Sequence, residues 1–311
     1  MGEPASPGHR GDTAKPAGGE VRGGGPEAWH TAWLVIFGRN RMALTGLVLV
    51  LLFLTLAVFA PWLVLYDSQA QDLSSTVRPP SLAHPFGTDD VGRDILSRIM
   101  LGARTSFLIA VMAVGIGLLA GVSIGLISGY CGGATDLLVM RIVEVLQTIP
   151  TIVLAIAIVS VLQTGIVSVM IAVGVTGIPV YARLTRGTTL GLKEMEYVSA
   201  ARCLGAKAGR ILWRHLLPNA LAPIIVQTSL GAGQAILVAA ALSFLGLGVQ
   251  PPTPEWGAML SRGRTYVTFA PHLVAFPGLA IAARVLGFNL LGDGLRDTID
   301  PRTRRLTEKG I

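Results

Sequence analysis

Two glycine-rich strings in this sequence carry the spacing of chemical motifs. Gly115-Ile-Gly117-Leu-Leu-Ala120 has the spacing of a dinucleotide-binding turn, and Gly121-Val-Ser123-Ile-Gly125 that of a nucleophile elbow. The first would lay backbone N–H groups against a pyrophosphate, and the second would expose a reactive serine. Both need a strand, a turn and a helix in that order. Residues 105–129 are instead one apolar run, and Ser123 has no His and Asp arrangement to activate it. Neither motif is retained.

The other reactive residues are just as isolated. The five histidines (His9, His30, His84, His215, His272) are scattered and show no His-Glu-x-x-His spacing. Cys131 and Cys203 lack the paired spacing of a disulfide or a zinc site. No Gly-x-x-x-x-Gly-Lys-[Ser/Thr] occurs, so no loop cradles ATP phosphates in that manner. The chain reads as a non-enzyme with no metal or cofactor of its own.

The elements that carry these residues belong to a membrane. Hydrophobic residues make up 51% of the 311 and charged residues only 14%, where a soluble domain carries about 25% charged. Apolar runs at 43–65, 105–129 and 165–182 are close to the ~20 residues that cross a hydrocarbon core. Runs at 137–161, 221–248 and 272–291, with a few polar interruptions, bring the count to six. The expected fold is all-α and polytopic, with six transmembrane helices.

Lys and Arg number five in residues 1–42, seven in 183–218 and five in 294–311. Loops 66–104 and 249–272 carry four and two, together with six acids. The positive-inside bias therefore places both termini and the 183–218 loop in the cytoplasm. The net charge of +7 follows from this asymmetry and from anionic lipid, not from a nucleic-acid partner.

Residues 1–28, rich in Gly, Pro and charge without periodicity, read as a disordered tail. The first apolar run begins too late and is too long for a cleaved secretory signal. Trp29, Trp33 and Phe37 recur at helical spacing ahead of Arg39 and Arg41, which fits an interfacial elbow helix over 29–42. Gly117, Gly121, Gly125 and Gly129 stand four apart, a face on which another helix backbone can approach closely. Pro150, Pro179 and Pro277 interrupt the third, fourth and sixth runs and imply local bends.

The 183–218 loop is patterned as helices. Glu194 and Glu196 open an Ala-rich helical run, where acids suit the positive helix end, and Gly205 closes it. A second short helix over 207–216 ends before Pro218. Ser199, Ala200 and Ala201 would form a flat knob able to seat in a groove of a soluble partner.

At these residues the sequence resembles the ABC importer permeases. The family's EAA loop places two alanines, a glycine four residues after the second, and a Leu-Pro pair further on. Ala200-Ala201, Gly205 and Leu217-Pro218 match. The usual acid position falls at Ser199, which leaves Glu196 as the nearby carboxylate. The string from Glu196 to Lys207 is similar to that of the C-type subunit of dipeptide and oligopeptide permeases. Blocks 84–98 with 102–106, 252–261 and 288–301 agree with it, so the resemblance runs from about Arg39 to Arg302.

The resemblance implies a type I importer permease of the MetI-like kind in the bacterial plasma membrane. A first helix at 43–65 and an external loop at 66–104 would precede a core at 105–293, with a cytoplasmic tail at 294–311. Partners would be a second permease subunit, one or two ABC ATPase subunits that bind the ATP, and an extracytoplasmic substrate-binding protein. Glu196, Ser199, Ala200, Ala201, Gly205, Leu217 and Pro218 would couple to the ATPase. The substrate would be a di- or oligopeptide, with nickel, glutathione or another small solute as the alternative.

A secondary transporter is the rival class, and it calls for ionisable residues inside the spans. Arg141 and Glu144, three apart, read as a mutually paired couple. Arg284 is a candidate pathway residue that would favour carboxylate-bearing substrates; the other reading has it snorkel or pair with a neighbouring helix. The external block reads as a helix capped by Thr88 or Asp89, with Asp94 and Arg98 paired at i,i+4. That block serves either packing or the seating of a substrate-delivering protein.

Overall fold

The computed structural model describes residues 40–299. The tail at 1–28, the elbow residues Trp29, Trp33 and Phe37, and residues 300–311 lie outside the described residues. Described residues form helices, and the only β pairing among them is one isolated bridge, Thr88 to Asp94.

Helix α1 spans Arg41–Leu63, and the Asn40 carboxamide caps it by accepting from the Met42 and Ala43 amides at 3.0 and 3.2 Å. Helix α2, Ile95–Cys131, has 37 residues and at 1.5 Å per residue is roughly 55 Å long. The chain then reverses into α3 (Gly133–Thr148) and α4 (Thr151–Leu162). Helix α5 is Ile166–Leu192, α6 is Glu196–Cys203, and α7 runs Ala208–Phe244. Two more follow, α8 (Trp256–Gly263) and α9 (His272–Ile299).

Five of these, α1, α2, α5, α7 and α9, are long and apolar enough to cross a bilayer. Helices α3 and α4 meet at a 95° bend and make the sixth span when counted together. Pro150 sits in the break, because it has no N–H with which to continue the α3 ladder.

The tightest pairing is the seam between α2 and α5, and the four-residue glycine stripe lies in it. A Cβ on Gly121 would fall 2.6 Å from both the Ile178 carbonyl oxygen and the Tyr181 Cβ. Gly117, Gly125 and Gly129 face the Gly174, Ala182 and Arg186 carbonyls in the same way. With no side chain between them the two backbones come within van der Waals reach along four turns, which maximises dispersion contacts where lipid offers no hydrophobic gain.

The external block differs from a capped helix beginning near Thr88 or Asp89. The backbone stays non-helical through Asp94, which is the cap of α2: its Oδ2 accepts from the Ser97 amide at 2.8 Å, and its Oδ1 meets His84 Nδ1 at 3.0 Å. Both Asp94 oxygens are thus committed at the helix start, out of reach of Arg98. Arg98 instead donates to the Ser68 carbonyl at 2.8 Å and lies 3.6 Å from Asp89. Asp89 also accepts from Arg93 Nε at 2.7 Å. Thr88, Arg93, Asp94 and Arg98 are all buried, so the chemistry of this block is turned inward.

Pro218 does not end a helix either. Leu212–Leu216 form a π turn in which the Leu217 amide bonds the Leu212 carbonyl. That wider turn brings Pro218 to the start of the next α-helical stretch, where a missing N–H costs little, and the Asn219 side chain bonds the His215 carbonyl at 2.6 Å. The segment after Gly205 is therefore continuous with the long spanning helix α7.

Candidate functional site: a polar cavity and an exposed helical turn

A cavity of about 350 Å³ lies among α2, α4, α5, α7 and α9. Its polar lining is Thr151, Thr176, Tyr181, Gln227, Gln234 and Asn289, and its apolar wall comes from residues such as Val114, Val173 and Val238. No carboxylate, amine or guanidinium lines it among the described residues. The Tyr181 hydroxyl is buried and bonds to no other described side chain or backbone group. Amide and hydroxyl groups in an apolar wall offer hydrogen bonds to a polar neutral solute without fixing its charge. The amide side chains arise at 227 and 234, seven apart on α7, a spacing that keeps them on one helix face; within a mostly apolar run that periodic pair was the readable signal.

Arg284 is not part of this lining. It is 1% exposed, and its Nη1 donates to the Ala103 carbonyl at 3.0 Å. Its guanidinium carbon lies 5.1 Å from the Phe107 ring centre and 5.4 Å from that of Trp256. The residue is enclosed by α2, α8 and α9, and two aromatic faces stabilise its charge in place of a carboxylate. Trp256 in turn donates to the Ile99 carbonyl at 3.0 Å and packs against Gly102. Glu255 caps α8 through the Gly257 and Ala258 amides, and burial pushes its carboxyl above the usual range.

Arg141 and Glu144 approach to 3.4 Å, and both are exposed on α3. A firmer ion pair ties the same helix to α5: Arg186 Nε and Nη2 each stand 2.6 Å from an oxygen of Asp136. The Ser128 hydroxyl donates to the same carboxylate, and Lys193 Nζ donates to the Gly129 carbonyl at 3.0 Å.

At that same end α6 presents a two-faced turn. Val198 is fully buried, and with Ile211 and Leu216 it packs against Leu126 and Tyr181. Ala201 also faces inward, at 9% exposure, so the flat outer surface is made by Ser199 and Ala200 without it. Glu196, Ser199, Ala200, Gly205 and Pro218 are exposed, and Leu217 is partly so. Gly205 has φ +78°, a left-handed turn suited to glycine, and its amide bonds the Arg202 carbonyl at 2.9 Å. Arg202 lies over the Tyr130 ring at 5.5 Å and steadies α6 against the end of α2.

Leu204 belongs to this surface although spacing hides it. It follows Val198 and Ala201 by three-residue steps and reads as the next buried position. The helix ends at Cys203, however, and Leu204 is 87% exposed beside Gly205. Trp213 is 62% exposed on the following turn. Ser199, Ala200, Leu204 and Trp213 thus give the turn a small-residue and apolar surface, the composition of a protein contact.

Known proteins resemble this chain over most of its length. The family model of the binding-protein-dependent transport system inner membrane component matches residues 121–305, and that of the N-terminal transmembrane domain of oligopeptide transport permease C matches residues 27–85. The dipeptide transport system permease protein of Alkalihalophilus pseudofirmus is 46% identical over 285 residues, covering 90% of this chain and 94% of that protein. The glutathione transport system permease protein of Escherichia coli is 48% identical over 277 residues, covering 89% of this chain and 91% of that one. An inward-facing structure of the MetNI methionine ABC transporter matches with a TM-score of 0.53 at 18% identity, over 65% of this chain and 97% of that chain, a likeness of fold. The chain is a multi-pass membrane permease and belongs to the family of inner membrane components of binding-protein-dependent transport systems.

Proposed function

We propose that this chain forms half of the translocation path of an ATP-driven peptide importer and takes its energy from separate ATPase subunits. The observation that carries the reading is the continuity of α7. One helix holds the partly exposed turn at 208–218 and, further along, the cavity residues Gln227 and Gln234. A partner that pushes on α6 and the start of α7 displaces the cavity wall directly, since the π turn keeps the helix mechanically unbroken. This is the rigid-element route by which a closing ATPase pair would drive alternating access.

In this reading a second permease completes the path, a binding protein delivers the solute to the face carrying residues 66–94, and both termini are cytoplasmic. ATP is bound by the partners, and the chain performs no catalysis. The uncharged, hydrogen-bonding cavity suits the backbone of a short peptide. Di- or oligopeptides are the substrate, and glutathione, itself a short peptide, is the second reading, supported by the 48% identical relative.

The deciding experiment reconstitutes the chain with its companion permease, ATPases and binding protein into vesicles and follows ATP-dependent uptake of a labelled dipeptide and of glutathione. Uptake of either one above an ATP-free control is expected. Uptake of neither, with methionine, nickel or a sugar carried instead, overturns the peptide reading.

A further inference from the structure

A second concavity, about 760 Å³, opens between α1 and α2 on the outer face of the chain. Leu54 and Val58 of α1 and Leu108 and Val111 of α2 form its walls, with Phe107 among the lining residues. The cavity among α2, α4, α5, α7 and α9 has amides and hydroxyls set in an apolar wall; this groove has a single charged group, Arg104, at one end beside Trp62. Arg104 is exposed, and no carboxylate among the described residues pairs with it. Trp62 is 76% exposed.

The two helices run antiparallel, so Trp62 lies by Arg104 and Leu54 by Val111. Seven residues separate Arg104 from Val111, roughly 10 Å of helix. The groove is therefore polar in one direction, with a cation at the end of the span where an interfacial tryptophan sits and hydrocarbon along the rest. The complement of such a surface is an anion joined to a long apolar chain. An extended peptide would bring backbone groups that these aliphatic walls leave unpaired, and an apolar transmembrane helix, whose backbone is satisfied internally, would bring no anion to Arg104. We propose that the groove is a site for one glycerophospholipid, its phosphate on the Arg104 guanidinium and an acyl chain laid along Phe107, Leu108 and Val111.

The assignment connects to the packing behind it. Phe107 also carries the guanidinium of Arg284, so a chain resting in the groove bears on the contact that joins α9 to α2. A snorkelling arginine in a general lipid annulus would also be exposed, but it would hold no lipid longer than its neighbours do.

The test uses the assembled importer in vesicles of phosphatidylethanolamine and phosphatidylglycerol, with a phosphatidylglycerol that carries a photoactivatable acyl chain. Wild type is expected to label in the stretches 54–62 and 107–111 above the exposed positions Leu44 and Val48 on the same helix. Arg104→Gln should lower that labelling about fivefold, whereas Arg104→Lys, which keeps the charge, should hold it within about twofold. Val58→Trp, which fills the trench and leaves Arg104 in place, should abolish it. Should Arg104→Gln fail to co-elute with the ATPases, Val58→Trp against wild type decides alone. Wild-type labelling no stronger in the groove than at Leu44 and Val48, or unchanged labelling in an assembled Arg104→Gln or Val58→Trp variant, overturns the site. So does an efficient cross-link from Val58→Cys to the companion permease.

Discussion

Arg186 grips Asp136 at two points, Nε and Nη2 each 2.6 Å from a carboxylate oxygen, and so fastens the start of α3 to the end of α5. The pair is partly shielded, with 32% of the Arg186 side chain and 15% of the Asp136 side chain exposed, so each substitution has a moderate cost. Asp136→Asn should destabilise the purified complex by about 2 kcal/mol, read as a lower melting temperature. The exchange of both residues, Asp136→Arg with Arg186→Asp, should recover part of that loss.

The glycine seam predicts a contrast within one helix. Gly121→Val would drive a branched side chain into the Ile178 carbonyl and Tyr181, costing about 2 kcal/mol or displacing α5. Gly115→Val, on the same helix but with nothing within 4 Å of its added Cβ, should melt as wild type. Equal behaviour of the two variants would remove the seam from the account.

A Cβ added at Gly205 would have nothing within 4 Å, so a side chain there starts into open space. Gly205→Trp is expected to insert and fold, at a local cost of about 1 kcal/mol for a left-handed non-glycine residue, yet to lose ATP-dependent uptake. Gly205→Ala carries the same backbone cost without the bulk and should retain most uptake. The pair of uptake assays separates docking from backbone strain.

Arg284 rests on a carbonyl and two aromatic rings, which makes its volume matter more than its charge. Arg284→Ala should cost about 3 kcal/mol through the space it leaves. Arg284→Met, close in volume, should cost less than about 1.5 kcal/mol, because no carboxylate is left unpaired. Neither change should alter the preference between anionic and neutral peptides in competition uptake.

Burial raises the Glu255 carboxyl, and the Gly257 and Ala258 amides pull it only part of the way back. The folded chain therefore holds this proton more tightly than the unfolded one does. The corresponding stabilisation is complete at low pH and is lost as pH rises through the raised value. Melting temperature should fall in wild type as pH rises above the ordinary glutamate range, and Glu255→Gln should flatten that slope.

Much of the architecture was legible because a bilayer imposes simple demands. An apolar run near twenty residues must become a helix, and a glycine every fourth position must meet another backbone. The short turn at 196–205 was legible through its acid, its alanines and its glycine. Other features depended on where neighbouring atoms lie. Asp94 caps α2 because His84 and the Ser97 amide occupy its oxygens, and Arg98 finds Asp89 and Ser68 from a distant loop. Pro218 is accommodated by a π turn that no periodicity announces.

By itself the sequence determined the helical membrane character of the chain, its spans, the turn built around Ala200 and Gly205, and the lack of any phosphate-binding loop, since each rests on local composition or short spacing. Tertiary structure alone decided which face each polar residue serves. Arg284 sits between Phe107 and Trp256 instead of in the cavity, Ala201 turns inward while Leu204 turns out, and Gln227 and Gln234 line the cavity. A helix fixes the angle between its own side chains, but only the neighbouring helices determine whether that angle points to protein, lipid or water.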